Sequence, residues 1–308
     1  MQSNTSGPSL RIGHVEPAER DTALRLAACQ IAADRPEQLA VLISEAQAGE
    51  ALILGAYRRD RLVGAVLAQI QPGRAAAIWP PQVTDKESRA TAVRLLNSST
   101  AALAGRGIRA VQCLLLGDDK SAATVLCEGG FRYLADLFYL VSTEASFPVS
   151  PPINALRFES YTADTHQRLL GIVDASYELT LDCPQLNGLR QTEDVLAGYR
   201  ATGEFDPRRW LIVRHGAADV GCLLVADHPQ HNTCELVYMG LVPAARGRGW
   251  GKDIARHAQW LTRQAGRERL ALAVDAANGP ALRMYEAVGF EAWDRRTVYL
   301  KVLPEPST

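Results

Sequence analysis

No Cys-x-x-Cys pair occurs among the six cysteines (Cys29, Cys113, Cys127, Cys183, Cys222, Cys234), and their wide spacing signals neither a zinc cluster nor a disulfide framework. A reducing, cytoplasmic compartment is the expectation. Apolar runs approaching the roughly 18 residues of a bilayer-spanning helix are also missing, and the opening MQSNTSGPSL has no basic region ahead of an apolar one. Neither a membrane span nor a secretory leader is expected. Charge of one sign is lacking too: Lys+Arg 33 stand against Asp+Glu 34, so a net charge of -1 offers polyanions no general field and nucleic acid is not an expected partner. What remains is a chain of 308 residues, 47% hydrophobic and 22% charged. At roughly 150 residues per domain it can bury two ordinary cores.

The clustered prolines of FPVSPP, residues 147–152, forbid regular structure and predict a first domain over 1–146, a linker over 147–154 and a second domain over 155–308. In the second domain, strands are expected at 155–160, 209–214, 219–226 and 233–241, the last two forming an antiparallel hairpin through the turn DHPQHN. A glycine-rich turn follows, then a helix from Lys252 to about Ala265, a strand at 269–275, a helix at 279–288 and a strand near 297–303. Ile254, Ala258, Leu261 and Ala265 share one helical face. Asn278 is placed to cap the last helix, Pro280 stands in its first turn and Gly289 lies just past its end.

The first domain repeats this order, with strands near 51–57 and 61–70, a helix near 88–104, a strand at 108–116 and a helix at 120–128. Gly64 matches Gly221 at an offset of 157, Gly130-Phe131 match Gly289-Phe290 at 159, and Tyr139 matches Tyr299 at 160. The fold class predicted is a mixed-sheet α/β (α+β) fold, present twice through internal duplication.

Between the hairpin and the next helix runs Val242-Pro243-Ala244-Ala245-Arg246-Gly247-Arg248-Gly249-Trp250-Gly251-Lys252. Glycines at alternate positions let backbone N–H groups turn toward one point, where the helix N-terminus adds partial positive charge, so the loop suits a phosphate. Arg246, Arg248 and Lys252 add side-chain cations. A Walker A loop fails, since Arg246 and Asp253 stand where Gly and Ser/Thr are required, and a dinucleotide GxGxxG would need glycine at 252.

Arg246-x-x-Gly249-x-Gly251, followed by Asn278-x-x-Ala281-x-x-x-Tyr285 and Gly289-Phe290, resembles the pyrophosphate signature and late helix motif of the GNAT superfamily of acyl-CoA-dependent N-acetyltransferases. The resemblance covers about residues 155–303, and the doubled layout with the intact loop in the second copy resembles the family's tandem members. It implies acetyl-CoA as acyl donor with no metal, its pyrophosphate held by residues 246–252. Further implications are that the backbone of Gly240, Leu241 and Val242 binds the pantetheine arm, that an amide near Leu241 meets the oxyanion, and that Asn278 contacts CoA as well as capping its helix.

Acetyl transfer by direct attack requires a neutral amine, a stabilised oxyanion and a proton for the departing thiolate. Glu235 is the sole charge from Cys234 to Val242, and a period of two puts it on one face with Val237, Met239 and Leu241. Partial desolvation there would raise its pKa toward that of a useful base, with a water bridging to the amine. The resemblance to the tandem members implies that an acidic residue at this place serves as the base. Tyr285 shares the buried face of the last helix with Ala281 and Val288, and the family spacing from Asn278 implies that it protonates the thiolate. His228 and His231 are read as polar turn residues with no carboxylate or cysteine at ligand spacing, and Cys222 and Cys234 as buried thiols that may face each other across the hairpin.

In the first copy, Thr84-Asp85-Lys86-Glu87-Ser88-Arg89 replaces the glycine loop, Asp119 stands in the place of Asn278 and Leu126 in that of Tyr285. That copy is therefore expected to be degenerate. Acceptor choice is assigned to Tyr177–Arg208, whose Glu178, Asp182, Glu193, Asp194, Glu204 and Asp206 accompany Arg190, Arg200 and Arg208. The expected acceptor is a primary amine of a small molecule or peptide, and the expected state a monomer or homodimer. A CoA-binding regulatory or scaffold module without turnover is the alternative that the same loop would serve.

Overall fold

The computed structural model describes residues 9–29, 51–153 and 155–304; the first eight residues, on which the expectation of no secretory leader rests, and position 154 of the expected linker lie outside them. The chain forms two compact units, Met1–Tyr133 with Thr297–Thr308, and Leu134–Arg296.

In the first unit, β1 (Arg11–His14), α1 (Arg20–Ala27), β2 (Ala51–Arg58), β3 (Arg61–Gln71), β4 (Ala75–Ile78), β5 (Gln82–Val83), α2 (Arg89–Gly105), β6 (Ala110–Leu116) and α3 (Lys120–Glu128) follow in chain order. The second unit begins within β7 (Arg132–Thr143) and continues with β8 (Leu156–Ser160), α4 (His166–Tyr177), α5 (Thr192–Arg200), β9 (Trp210–His215), β10 (Ala218–His228), β11 (Thr233–Leu241), α6 (Trp250–Gln264), β12 (Arg269–Asp275) and α7 (Gly279–Glu286). The last strand, β13 (Glu291–Val302), starts earlier than the expected 297.

The strands of the first unit lie in the order β1-β2-β3-β4-β6 and then the end of β13, while those of the second lie in the order β8-β9-β10-β11-β12-β7. The two orders are equivalent. In each, a β-meander leads to one parallel pairing, β4 with β6 and β11 with β12. The helix between the paired strands, α2 or α6, is the crossover that a parallel neighbour requires.

The final strands are exchanged between the two copies. β7 follows α3 in the chain, yet it runs antiparallel to β12 from Arg269↔Thr143 to Asp275↔Leu137. The end of β13 neighbours β6, and Leu303 and Tyr299 pack in the first unit's core. Consequently the compact units divide near 133 and 296, whereas the proline-rich segment at 147–152 marks only where regular structure stops. Local sequence shows a chain break; which sheet a strand joins is settled by long-range pairing.

The second unit buries both faces of its sheet. Leu223, Val225, Cys234, Leu236, Leu270 and Leu272 pack on Ile254, Ala255 and Ala258 of α6, with Tyr285 of α7. On the opposite face, Trp210, Ile212, Cys222 and Leu224 meet Leu169, Ile172 and Val173 of α4 and Leu196 of α5. Cys222 and Cys234 thus lie on different faces, and their strand partners are Gly240 and Asp227 rather than each other. None of the described helices is long and apolar enough to cross a membrane.

Candidate functional site

The site begins where two strands part. β11 and β12 pair from Thr233↔Arg269 to Glu235↔Ala271 and then diverge. A cavity of about 590 Å³ opens in the fork, lined by Leu236 to Leu241, Ala273 and Val274, by Gly247, Gly249, Gly251 and Lys252 of the loop, and by Asn278 and Tyr285.

A β-bulge shapes this fork. Leu224 pairs with Tyr238 but Val225 with Leu236, so Val237 is the extra residue. Alternation slips there: Cys234, Leu236, Met239 and Leu241 pack toward α6, while Tyr238 packs toward α4 and α5. The expected common face of Glu235, Val237, Met239 and Leu241 is corrected accordingly, because period-two counting holds only on an unbroken strand. Glu235 stands at the apex of the fork but outside the cavity lining, its side chain 40% exposed and its carboxylate 3.1 Å from His228 Nε2. That carboxylate also corrects the reading of His228 as lacking an acidic neighbour, since the hairpin brings the two together. The hydrogen bond raises the His228 pKa.

Beyond the bulge the ladder decides which amides face the fork. Val242 N–H donates to Val220 C=O at 3.0 Å. Alternate residues of an antiparallel strand share one edge, so Gly240 also points its amide into the hairpin, and Met239 and Leu241 turn theirs toward the fork. Of Gly240, Leu241 and Val242, expected at the pantetheine arm, Leu241 turns its amide to the fork while Gly240 and Val242 turn theirs into the hairpin; Met239, outside that expectation, also faces the fork. Gly240 is glycine for another reason: a Cβ there would come within 2.5 Å of Ser176 Oγ.

Past Pro243–Ala245, a single 3-10 turn, Gly247 and Gly249 adopt φ of 76° and 80° with open space around them. L side chains resist that conformation. No acceptor among the described residues takes the N–H groups of Gly247, Arg248 or Gly249, and α6 starts at Trp250 without a side-chain cap. Unpaired donors at a helix N-terminus form an anion cradle.

The side chains of this loop divide differently from expectation. Lys252 lines the cavity. Arg246 directs its guanidinium to three backbone carbonyls instead of leaving it for an anion: Nε to Leu241 at 3.1 Å, Nη1 to Leu179 at 3.0 Å and Nη2 to Ser176 at 2.9 Å. It is a clip between the end of β11 and the segment after α4. Arg248 lies over the Trp250 ring, 5.1 Å from its centroid, and that ring in turn packs 4.7 Å from His215. Arg246 borders the cavity with its guanidinium already taken up by these carbonyls, whereas Arg248 does not line it.

Asn278 caps α7, its Oδ1 accepting the Ala281 amide at 3.3 Å, and it also lines the cavity. Tyr285 is 6% exposed, and burial together with the negative charge of Asp182 pushes its pKa well up, which keeps the phenol protonated. Asp182 is one of six acidic residues in the segment Tyr177–Arg208. Though Asp182 is an exposed residue, its carboxylate accepts the Asp275 amide at 2.8 Å, and desolvation raises its pKa. Sequence alone does not separate it from its acidic neighbours.

The first unit is a natural contrast. Where the second has its glycine cradle, Glu87 lies just before α2, accepting Arg58 Nε at 2.7 Å and Thr91 Oγ1 at 2.7 Å. A carboxylate of the chain itself thus takes the polar partners there, and Leu126, fully buried, replaces the phenol.

Residues 173–290, which contain the whole fork, match the acetyltransferase (GNAT) family. The GCN5-related N-acetyltransferase from Sphaerobacter thermophilus superposes with a TM-score of 0.64 at 16% identity, over 97% of this chain and 98% of that one. The fold is one that a GCN5-related N-acetyltransferase also has. A tandem GNAT protein from the clavulanic acid biosynthesis pathway superposes with a TM-score of 0.53 at 13% identity, over 97% of this chain and all (100%) of its own. The duplicated GNAT layout is therefore one that a solved protein shares. In sequence, a mycothiol acetyltransferase from Pseudarthrobacter chlorophenolicus is 24% identical over 202 residues, 63% of this chain and 61% of that relative. The chain spans less than two thirds of that relative's length. Among the described residues, no group of three or more His, Cys, Asp or Glu is arranged to hold a metal ion.

Proposed function

We propose that this protein is an acetyl-CoA-dependent N-acetyltransferase whose site lies in the GNAT fork of the second unit, with a primary amine as acceptor. The observation that carries this reading is the joining of two features in one cavity: unpaired amides at the start of α6, suited to a pyrophosphate, and the protonated Tyr285 deeper in the fork. Acetyl-CoA supplies the activated acyl group, as a thioester. The Gly247–Gly249 amides and Lys252 hold the pyrophosphate, while the Met239 and Leu241 amides, edge donors with no strand partner beyond the fork apex, bind the pantetheine arm and polarise the thioester carbonyl.

Tyr285 gives its proton to the departing thiolate. Glu235, at the fork apex, takes the amine proton through a bridging water, which matches its place beside rather than inside the cavity. A specific observation favours a second candidate for that step: Asp182 reaches the cavity directly and burial raises its pKa. Arg246 positions the segment after α4, and among the described residues of the first unit Glu87 stands where the second has its glycine cradle.

Titration calorimetry with acetyl-CoA tests the assignment. The wild type should show one site and Gly249→Glu none, because a carboxylate would occupy the anion cradle. Absence of binding by the wild type would refute the transferase and the CoA-binding module alike, whereas binding without turnover on any amine would leave only the module.

A further inference from the structure

A second cavity, of about 740 Å³, adjoins the fork and shares Tyr177, Asp182, Val237 and Tyr238 with it. We propose that it is built for a primary amine that also bears a carboxylate, and that Arg190 receives the carboxylate. The proposal rests on the transferase reading for the fate of the amine.

The charged groups in this cavity are not equivalent. Glu193 pairs with His166 at 3.0 Å, Asp174 accepts from Thr192 Oγ1, and Asp182 accepts the Asp275 amide at 2.8 Å. Every acid has a partner within the protein. Arg190 makes no hydrogen bond or ion pair among the described residues, and its Nε is closed off from solvent. A dehydrated guanidinium nitrogen with no acceptor is what burial of polar groups normally excludes. The Nε itself is sealed, but the terminal Nη groups of the same guanidinium are neither sealed nor bonded among the described residues, so they are the atoms Arg190 offers to the cavity, and their planar edge matches a carboxylate in two parallel hydrogen bonds.

The remaining walls fix the ligand's direction. The Tyr177 and Tyr199 hydroxyls, 3.4 Å apart, stand near enough to Arg190 to experience its charge, and Tyr177 also lines the fork. A molecule anchored at Arg190 thus extends past these phenols to the shared region beside Asp182, where its amine would meet the thioester. A polyamine would put a cation against Arg190, and a neutral sugar amine would give it no charged partner.

The test uses the full chain, acetyl-CoA and a panel of glycine, β-alanine, γ-aminobutyrate and the common L-amino acids, each beside its carboxamide, with spermidine and glucosamine as contrasts. Thiol release should favour at least one acid over its amide by about 10- to 100-fold in kcat/KM, the range expected for a charge-assisted pair. Arg190→Gln should bring that ratio near unity, and Arg190→Lys should restore it in part. Equal use of acid and amide, preference for spermidine or glucosamine, an unchanged ratio in Arg190→Gln, or no acetylation of any acid by a protein that binds acetyl-CoA would each overturn the proposal. Failure of the transferase reading is distinct: the wild type would not bind acetyl-CoA, while calorimetry would still detect an amino acid bound through its carboxylate and lost in Arg190→Gln.

Discussion

Arg246 holds the Ser176 carbonyl at 2.9 Å, tying the anion loop to the end of α4 across seventy residues of chain. The same guanidinium bonds Leu241 and Leu179, so one side chain fixes the fork's strand, the overhanging segment and the start of the cradle in mutual register. Arg246→Ala should raise the Kd for acetyl-CoA and lower stability by about 2 kcal/mol, the order expected for charged hydrogen bonds whose effects do not simply add. Arg246→Lys should not rescue, because an ammonium cannot span three diverging carbonyls. Thermal unfolding and acetyl-CoA titration of both variants check this.

Tyr285→Phe should leave acetyl-CoA binding nearly intact and lower kcat at least about 100-fold, the lower end of what a positioned acid contributes. Because burial and Asp182 raise the Tyr285 pKa, the wild-type rate should show no alkaline loss assignable to this phenol at pH values up to about 10, where an unperturbed tyrosine would ionise. A wild-type rate that falls with an apparent pKa near 9, and does not fall in the variant, would contradict the raised value.

Glu235→Gln and Asp182→Asn separate the two candidate bases. Loss of the true base should lower kcat about 100-fold or more and remove the acidic limb of the pH profile, which the other substitution would leave in place. If Asp182 is the base, that limb should lie above the ordinary aspartate range, since burial raises its pKa. Steady-state rates from pH 5 to about 9 decide between them.

His257 stacks flat on Phe158 at 3.6 Å, with its Nδ1 buried and unbonded among the described residues. Burial depresses its pKa from 6.5 to about 4. Between those values the unfolded chain binds the proton and the folded one does not, so stability falls as pH drops through this window and the loss levels off below about 4. The whole effect is at most about 3.5 kcal/mol, from about 1.4 kcal/mol per pKa unit. His257→Phe should flatten that part of the profile, as measured by urea unfolding at pH 7 and about 4.5.

Much of the fold was legible because its signals are local. Asp119 and Asn278, 159 positions apart, each cap a helix by accepting the amide three residues on, at 2.9 Å and 3.3 Å, and the offset that aligned them in sequence also aligns the strand orders of the two units. Gly247 and Gly249 announced themselves through backbone freedom, and Tyr285 through helical spacing. Less was legible along β11. The bulge at Val237 has no marker in the residue types, and it reverses which side chains and amides face the fork.

By itself, then, the sequence determined what depends on neighbours in the chain: the duplicated order of elements, the glycine cradle before α6, the cap and phenol of α7 and the absence of a cradle in the first copy. Only the tertiary structure decided what depends on distant partners. It placed β7 in the second unit and the end of β13 in the first, since a strand's partner is chosen by the open edge it meets rather than by its own residues. It also turned Arg246 into a clip, set Glu235 beside His228 and left Arg190 unpaired in a cavity. Each of these follows from where side chains far apart in sequence come to lie, and residue type alone carries no record of that.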